Sequence, residues 1–153
     1  MIIPQAKIMS IDSASMKLPL DREDVVFTNG CFDMLHYGHL VYLNEARQLG
    51  KVLIVAINSD TSVQCLKGPS RPINSEMIRA YNLACLGCVD IVIVFNDDTP
   101  YKTLKKLQPG ILVKGGDYEL EDIVGYDIVP KTITVPYING FSTTDIINAI
   151  KSS

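Results

Sequence analysis

Two uninterrupted apolar runs constrain this chain more than any other feature: residues 52–57 (Val-Leu-Ile-Val-Ala-Ile) and 91–95 (Ile-Val-Ile-Val-Phe). A strand with one face in water alternates polar and apolar residues, because successive side chains point to opposite faces. Neither run alternates, so both faces must be covered, which is the situation of strands in a parallel sheet wrapped by helices. Both runs are also far too short to span a bilayer.

The rest of the pattern agrees. Residues 24–28 read as a first strand, 39–49 as a helix closed by Gly50, and 52–57 as a second strand. Asn58-Ser59-Asp60-Thr61 offers caps for a short helix to about Leu66. Residues 67–74 carry Gly68, Pro69 and Pro72 and read as a loop. A helix over 75–86 and a strand over 91–95 follow, and Asp98-Thr99-Pro100 opens a helix with proline at its first position. Residues 111–114 make a fourth strand, a weak helix is expected over 121–128, 132–135 form a fifth strand, and 143–150 form a closing amphipathic helix. This is an α/β chain: a single-domain, Rossmann-like, doubly wound sheet of about five parallel strands. Residues 1–23 read as an N-terminal lead-in and 24–153 as the domain itself. Ligands of such sheets bind at the carboxyl ends of the strands, beside the switch in strand order.

The polar motifs follow strand ends. After the first strand comes Thr28-Asn29-Gly30-Cys31-Phe32-Asp33, then His36 and His39 at the mouth of a helix; the 153-residue chain has only these two histidines. Three residues apart on a helical turn, both rings share one face. A helix start also presents free N–H groups and a dipole that favours an anion. After the second strand come Asn58, Ser59 and Asp60, and the following loop and helix carry Lys67, Arg71 and Arg79. After the fourth strand comes Lys114-Gly115-Gly116-Asp117-Tyr118, and after the fifth Gly140-Phe141-Ser142-Thr143-Thr144 at another helix start. Singly, the groups after the first are as well explained by a solvated loop, a tight turn or a Ser/Thr cap, whereas paired histidines beside Gly38 and Thr28-Asn29-Gly30 favour a functional site. Their placement after successive parallel strands would bring them to one edge.

Two helix starts, two imidazoles and several cations suit a substrate with a chain of phosphates. The sequence excludes other routes: it has no Gly-x-x-x-x-Gly-Lys-Ser/Thr loop, no Gly-x-Gly-x-x-Gly after the first strand, and no serine elbow. Phosphoryl-type transfer asks mainly for alignment and for donors matched to developing charge, and imidazole N–H groups are such donors. A net charge of −3 argues against a nucleic-acid partner. Charged residues interrupt every apolar stretch of residues 1–24, so no secretory signal is expected there. The four cysteines show no disulfide framework, which fits a reduced cytoplasm. Cys85 and Cys88 have metal-ligand spacing without a second pair, so no protein-held metal is expected.

Asn29-Gly30-Cys31-Phe32-Asp33, His36-x-Gly38-His39 and Phe141-Ser142-Thr143-Thr144 together resemble the cytidylyltransferase-like nucleotidyltransferase superfamily, over about residues 24–150. Within it, Leu66-Lys67-Gly68-x-x-Arg71-Pro72-x-Asn74 and Val113-Lys114-Gly115-Gly116-Asp117-Tyr118 are most similar to the adenylyltransferases that make ADP-heptose from heptose 1-phosphate. Lys7-Ile8-Met9-Ser10 resembles the lead-in of that domain where it is fused behind a sugar kinase. The resemblance implies catalytic roles for His36, His39 and Lys67. It implies nucleotide contacts from Thr28, Asn29, Gly30, Phe32, Asp33, Arg79, Lys114, Gly115, Asp117, Ser142, Thr143 and Thr144, and acceptor contacts from Asn58, Asp60 and Arg71. It implies ATP as substrate, Mg²⁺ bound mainly through the triphosphate, a small sugar phosphate as acceptor, and a homodimer. Cytidylyltransferases of glycerol and choline phosphate usually carry an arginine shortly before the late Ser/Thr motif, where this chain has Tyr137-Ile138-Asn139. That departure favours ATP over the alternative, CTP with glycerol 3-phosphate. A noncatalytic nucleotide-binding module is the competing class, and paired histidines argue against it, since binding alone does not need two donors at the reacting phosphate.

Overall fold

In the computed structural model, residues 3–136, 138 and 140–152 are described. Five strands form one sheet in the order β3-β2-β1-β4-β5: β1 (Val25–Gly30), β2 (Val52–Asn58), β3 (Ile91–Phe95), β4 (Ile111–Gly115) and β5 (Lys131–Val135). Every neighbouring pair is parallel. The switch in strand order falls between β1 and β4.

Alternation along the strands sorts the core into two layers. Val26 of β1, Leu53, Val55 and Ile57 of β2 and Val113 of β4 pack against Leu43 and Ala46 of α2 (Tyr37–Gln48) and Ala80, Leu83 and Ala84 of α4 (Glu76–Ala84). Val25, Phe27, Ile54, Ala56 and Leu112 face the other way, onto Ala14 of α1 (Ile11–Lys17) and Leu104 and Leu107 of α5 (Tyr101–Leu107). Both faces are therefore dry, as the two apolar runs require. Two further helices, α3 (Asp60–Lys67) and α6 (Thr143–Lys151), begin at the carboxyl edge of the sheet. Ser59 and Ser142 cap them, their hydroxyls accepting from Ser62 N–H (3.2 Å) and Asp145 N–H (3.1 Å).

Some local expectations change. The lead-in contains α1, whose Ala14 is fully buried in the second layer, and Ile8 bridges to Val92 at the sheet edge. Apolar spacing was too short there to signal a helix. The helix expected over 121–128 is only a 3₁₀ turn at Leu120–Asp122 followed by turns, broken where Gly125 takes φ +100°. Helix α2 starts at Tyr37, two residues before the apolar pattern does, because His36 itself caps it. Pro100 is the cap of α5 rather than its first residue.

Candidate active site

The register of β1 explains where the site opens. Its pairing with β2 runs to Gly30↔Ile57, and β4 pairs with β5 up to Gly115↔Val135. Between β1 and β4, however, only Val26↔Ile111 and Phe27↔Leu112 pair. Past those residues the two strands part, and a crevice opens at the switch point. Tyr42 closes its floor on the α2 side: its hydroxyl donates to the Val113 carbonyl (3.1 Å) and lies 2.6 Å from the Thr28 hydroxyl. Above this floor lies a cavity of about 850 Å³.

The histidines line it. His36 is the N-cap of α2, its Nδ1 facing the His39 N–H at 3.4 Å, and the two rings stack with centroids 3.7 Å apart. Gly38 makes this possible, since a Cβ there would meet His36 Nδ1 at 3.2 Å and Phe141 Cβ at 3.4 Å. Phe32 flanks the pair from below, its ring 5.1 Å from His39. Phe32 has φ 45°, a left-handed conformation that costs a bulky residue on the order of 1–3 kcal/mol and persists only where its surroundings impose it. Tyr37 meets Phe141 edge to face at 5.1 Å, which locks the start of α2 to the start of α6.

Burial makes both imidazoles hard to protonate. The His39 pKa is pushed down to about 4, first by burial and then by the charges of His36 and Lys67; the nearby Met34 backbone opposes this without forming a hydrogen bond of normal geometry. His36 is also lowered by burial, with the Asp145 carboxylate pulling the other way. At neutral pH the pair is uncharged, and its N–H groups can serve as donors at a phosphate.

A second network holds the loop after α3 against the turn after β1. The Asp33 carboxylate accepts from Ile73 N–H (2.9 Å), Asn74 N–H (2.9 Å) and Arg71 Nε (2.7 Å). Burial alone would raise its pKa, but these bonds outweigh that and leave it lowered. Arg79 is fully buried and donates to the carbonyls of Cys31 (2.7 Å) and Asn74 (3.0 Å) and to Asp60 Oδ1 (2.8 Å). Cys31 and Asp33 are thus pinned on either side of Phe32, which supplies the constraint that its backbone conformation needs.

Of the residues singled out in the sequence, Asn29, Gly30, Phe32, Asp33, His36, His39, Asn58, Lys67, Arg71, Lys114, Gly115, Ser142, Thr143 and Thr144 line the cavity. Thr28, Asp60, Arg79 and Asp117 are not among its lining residues. The Arg79 guanidinium, expected at the nucleotide, is buried and donates to three internal partners, an arrangement that braces the site. Asp60 is its counter-ion, and Thr28 belongs to the Tyr42 bridge. Asp33 borders the cavity, but the residue is only 2% exposed and its carboxylate is bonded to the loop. Lys67 ends α3 instead of lying within the loop, and is exposed. Tyr137 and Asn139, where an arginine is missing, lie outside the described residues. Sequence reasoning missed Tyr42, whose position one turn after His39 was a signal, and Asp98, Thr99 and Asp122 at the rim. Among the described residues no three His, Cys, Asp or Glu side chains gather into a metal-binding group.

Comparison with known proteins decides the family, because the model of the Cytidylyltransferase-like family matches residues 27–149. The chain belongs to that family. It is a nucleotidyltransferase, and the cavity holds the residues in which the family resemblance was read. Among its relatives is the "Bifunctional protein HldE" of Aliarcobacter butzleri (strain RM4018), 50% identical over 143 residues, covering 94% of this chain and 30% of the relative. The protein of the same name from Campylobacter curvus (strain 525.92) is 55% identical over 129 residues, 84% of this chain and 28% of that one. The chain therefore spans less than a third of these relatives' length. Among solved structures, a lipopolysaccharide core biosynthesis protein from Thermoplasma volcanium GSS1 superposes with TM-score 0.64 at 29% identity, over 75% of this chain and 98% of that one. A pantoate-beta-alanine ligase from Francisella tularensis shares the fold at 19% identity, with TM-score 0.61 over 94% of this chain and 76% of the other.

Proposed function

We propose that this nucleotidyltransferase moves AMP from ATP to a sugar 1-phosphate, heptose 1-phosphate, and releases pyrophosphate. An acceptor phosphate oxygen attacks the α-phosphorus in line; the new P–O bond forms as the bond from the α-phosphorus to the bridging oxygen of pyrophosphate breaks. The observation that carries this reading is the stacked, uncharged pair His36 and His39 at the start of α2, facing the start of α6 across one cavity. Their N–H groups would meet charge developing on the α-phosphate oxygens, a contribution largest in the transition state. The N–H groups of Thr143 and Thr144 at the start of α6 suit the β- and γ-phosphates. Lys67, exposed beside Gly68 (φ +94°, open space around it), can swing over the triphosphate. Mg²⁺ would be carried in on the triphosphate, where it would offset phosphate charge. Backbone groups of Lys114 and Gly115 suit an adenine edge. The same reading places the chain in the cytoplasm as a homodimer, which light scattering of the purified protein checks.

The choice of ATP and heptose is supported by the likeness of residues 66–74 and 113–118 to ADP-heptose-forming enzymes and by the HldE relatives. A substrate panel tests it: ATP or CTP with heptose 1-phosphate or glycerol 3-phosphate, scored by pyrophosphate release. ATP with heptose 1-phosphate should be fastest. Faster turnover of CTP with glycerol 3-phosphate would overturn the substrate assignment while leaving nucleotidyl transfer intact.

A further inference from the structure

The cavity reaches both sides of the sheet edge, and its two sides differ in chemistry. The histidines stand at the start of α2, whose Leu43 and Ala46 pack into one layer, and Phe141 before α6 meets Tyr37 there. The opposite side holds Lys114. Phe27 and Leu112 point into the α1/α5 layer, so Asn29 and Lys114, two residues on in each strand, point the same way. They face each other across the gap where β1 and β4 no longer pair, with Lys114 Nζ 3.4 Å from Asn29 Oδ1.

That long contact to a neutral amide is a poor match for a sunken ammonium. Burial lowers the Lys114 pKa, and only the Cys31 thiol opposes that shift. Among the described residues it has no ion-pair partner, whereas the neighbouring arginines do: Arg71 pairs with Asp33 and Arg79 with Asp60. Burying a cation without a counter-charge is costly, and the deficit is removed when a ligand brings the anion. Thr99 and the carboxylates of Asp98 and Asp122 border the cavity on this α5 side, groups that suit hydroxyls better than further phosphates.

We propose that the side chains of Lys114 and Asn29, as distinct from the Lys114 backbone offered to the adenine edge, form the binding point for the phosphate of the acceptor, separate from the triphosphate site, and that the Lys114 ammonium sets the requirement for a phosphorylated acceptor. Asn29, Lys114 and the histidine pair line one cavity, so an anion held in the crevice would share it with the α-phosphate. The inference rests on the transferase reading for its substrate, and its own claim is the division of anions between two faces of the sheet.

Calorimetry on the full chain tests it without turnover. Heptose 1-phosphate, unphosphorylated heptose and ATP are titrated separately into the wild type, Lys114→Met and Lys114→Arg. A lost charge-assisted bond predicts heptose 1-phosphate affinity lower by about 10- to 100-fold in Lys114→Met, ATP affinity changed less than about 3-fold, and partial rescue in Lys114→Arg. In steady state the same variant should raise acceptor KM far more than ATP KM. ATP affinity falling as much as acceptor affinity would overturn the division, as would unchanged acceptor affinity. If Lys114→Met does not fold, Lys114→Gln carries the same predictions. If the wild type binds heptose 1-phosphate but releases no pyrophosphate, the transferase reading fails and the titrations still judge Lys114.

Discussion

The Phe32 ring lies 5.1 Å from the His39 imidazole while the Phe32 backbone is held at φ 45°. The hydrogen bonds that impose that backbone come from Arg79 on Cys31 and from residues 71–74 on Asp33, so the bracing of the loop and the placement of His39 are one structure. Replacing Arg79 by Met strands two carbonyls and removes the Asp60 partner. It should destabilise the fold by about 2–4 kcal/mol, read from the denaturant midpoint. Arg79→Lys should recover part of that loss. An Arg79→Met protein of wild-type stability would show that this bracing is unimportant.

Protonation of His39 gives stability a definite pH dependence. Its folded pKa of about 4 lies below the ordinary 6.5, so the unfolded chain takes up the proton first as pH falls. Stability is therefore complete above about pH 6.5 and declines toward pH 4. The upper bound on this loss is about 3 kcal/mol. Urea unfolding at pH 7 and pH 5 checks it: His39→Gln should lose less stability between the two than the wild type. Equal losses would place the histidine in an ordinary environment.

The loop after α3 should be mobile in only part of its length. Asp33 grips Arg71, Ile73 and Asn74, whereas Lys67 is exposed beside the open Gly68. Limited trypsin digestion should cut after Lys67 and spare Arg71, which precedes a proline in any case. ATP should slow the cut at Lys67 severalfold as the residue closes over phosphate. Identical digestion with and without ATP would argue against closure. Lys67→Ala should then lower kcat and raise the nucleotide KM together.

The architecture was legible because residues 52–57 and 91–95 permit only a sheet covered on both faces, and because Ser59 and Ser142 announce helices at its edge. Sequence could not show α1, whose burial depends on one alanine meeting the far layer, or the collapse of the expected helix at Gly125. For the site, motifs after strand ends pointed to a common edge, and most of those residues do line one cavity. Spacing carries no information about partners across the fold. Nothing local revealed that Cys31, Asn74 and Asp60 would hold the Arg79 guanidinium, or that Arg71, Ile73 and Asn74 would hold the Asp33 carboxylate. Lys114 was visible as a cation beside glycines; that it has no ion-pair partner among the described residues was not.

The central claim is that His36 and His39 act on the reacting phosphate more strongly in the transition state than in the ground state. The most direct measurement is kcat for pyrophosphate release from ATP and heptose 1-phosphate, set beside the equilibrium Kd for ATP, in His36→Ala and His39→Ala. The account predicts kcat lower by about 10²-fold or more in each variant, with ATP Kd changed only a few-fold. A folded variant of either histidine that keeps wild-type turnover would contradict it.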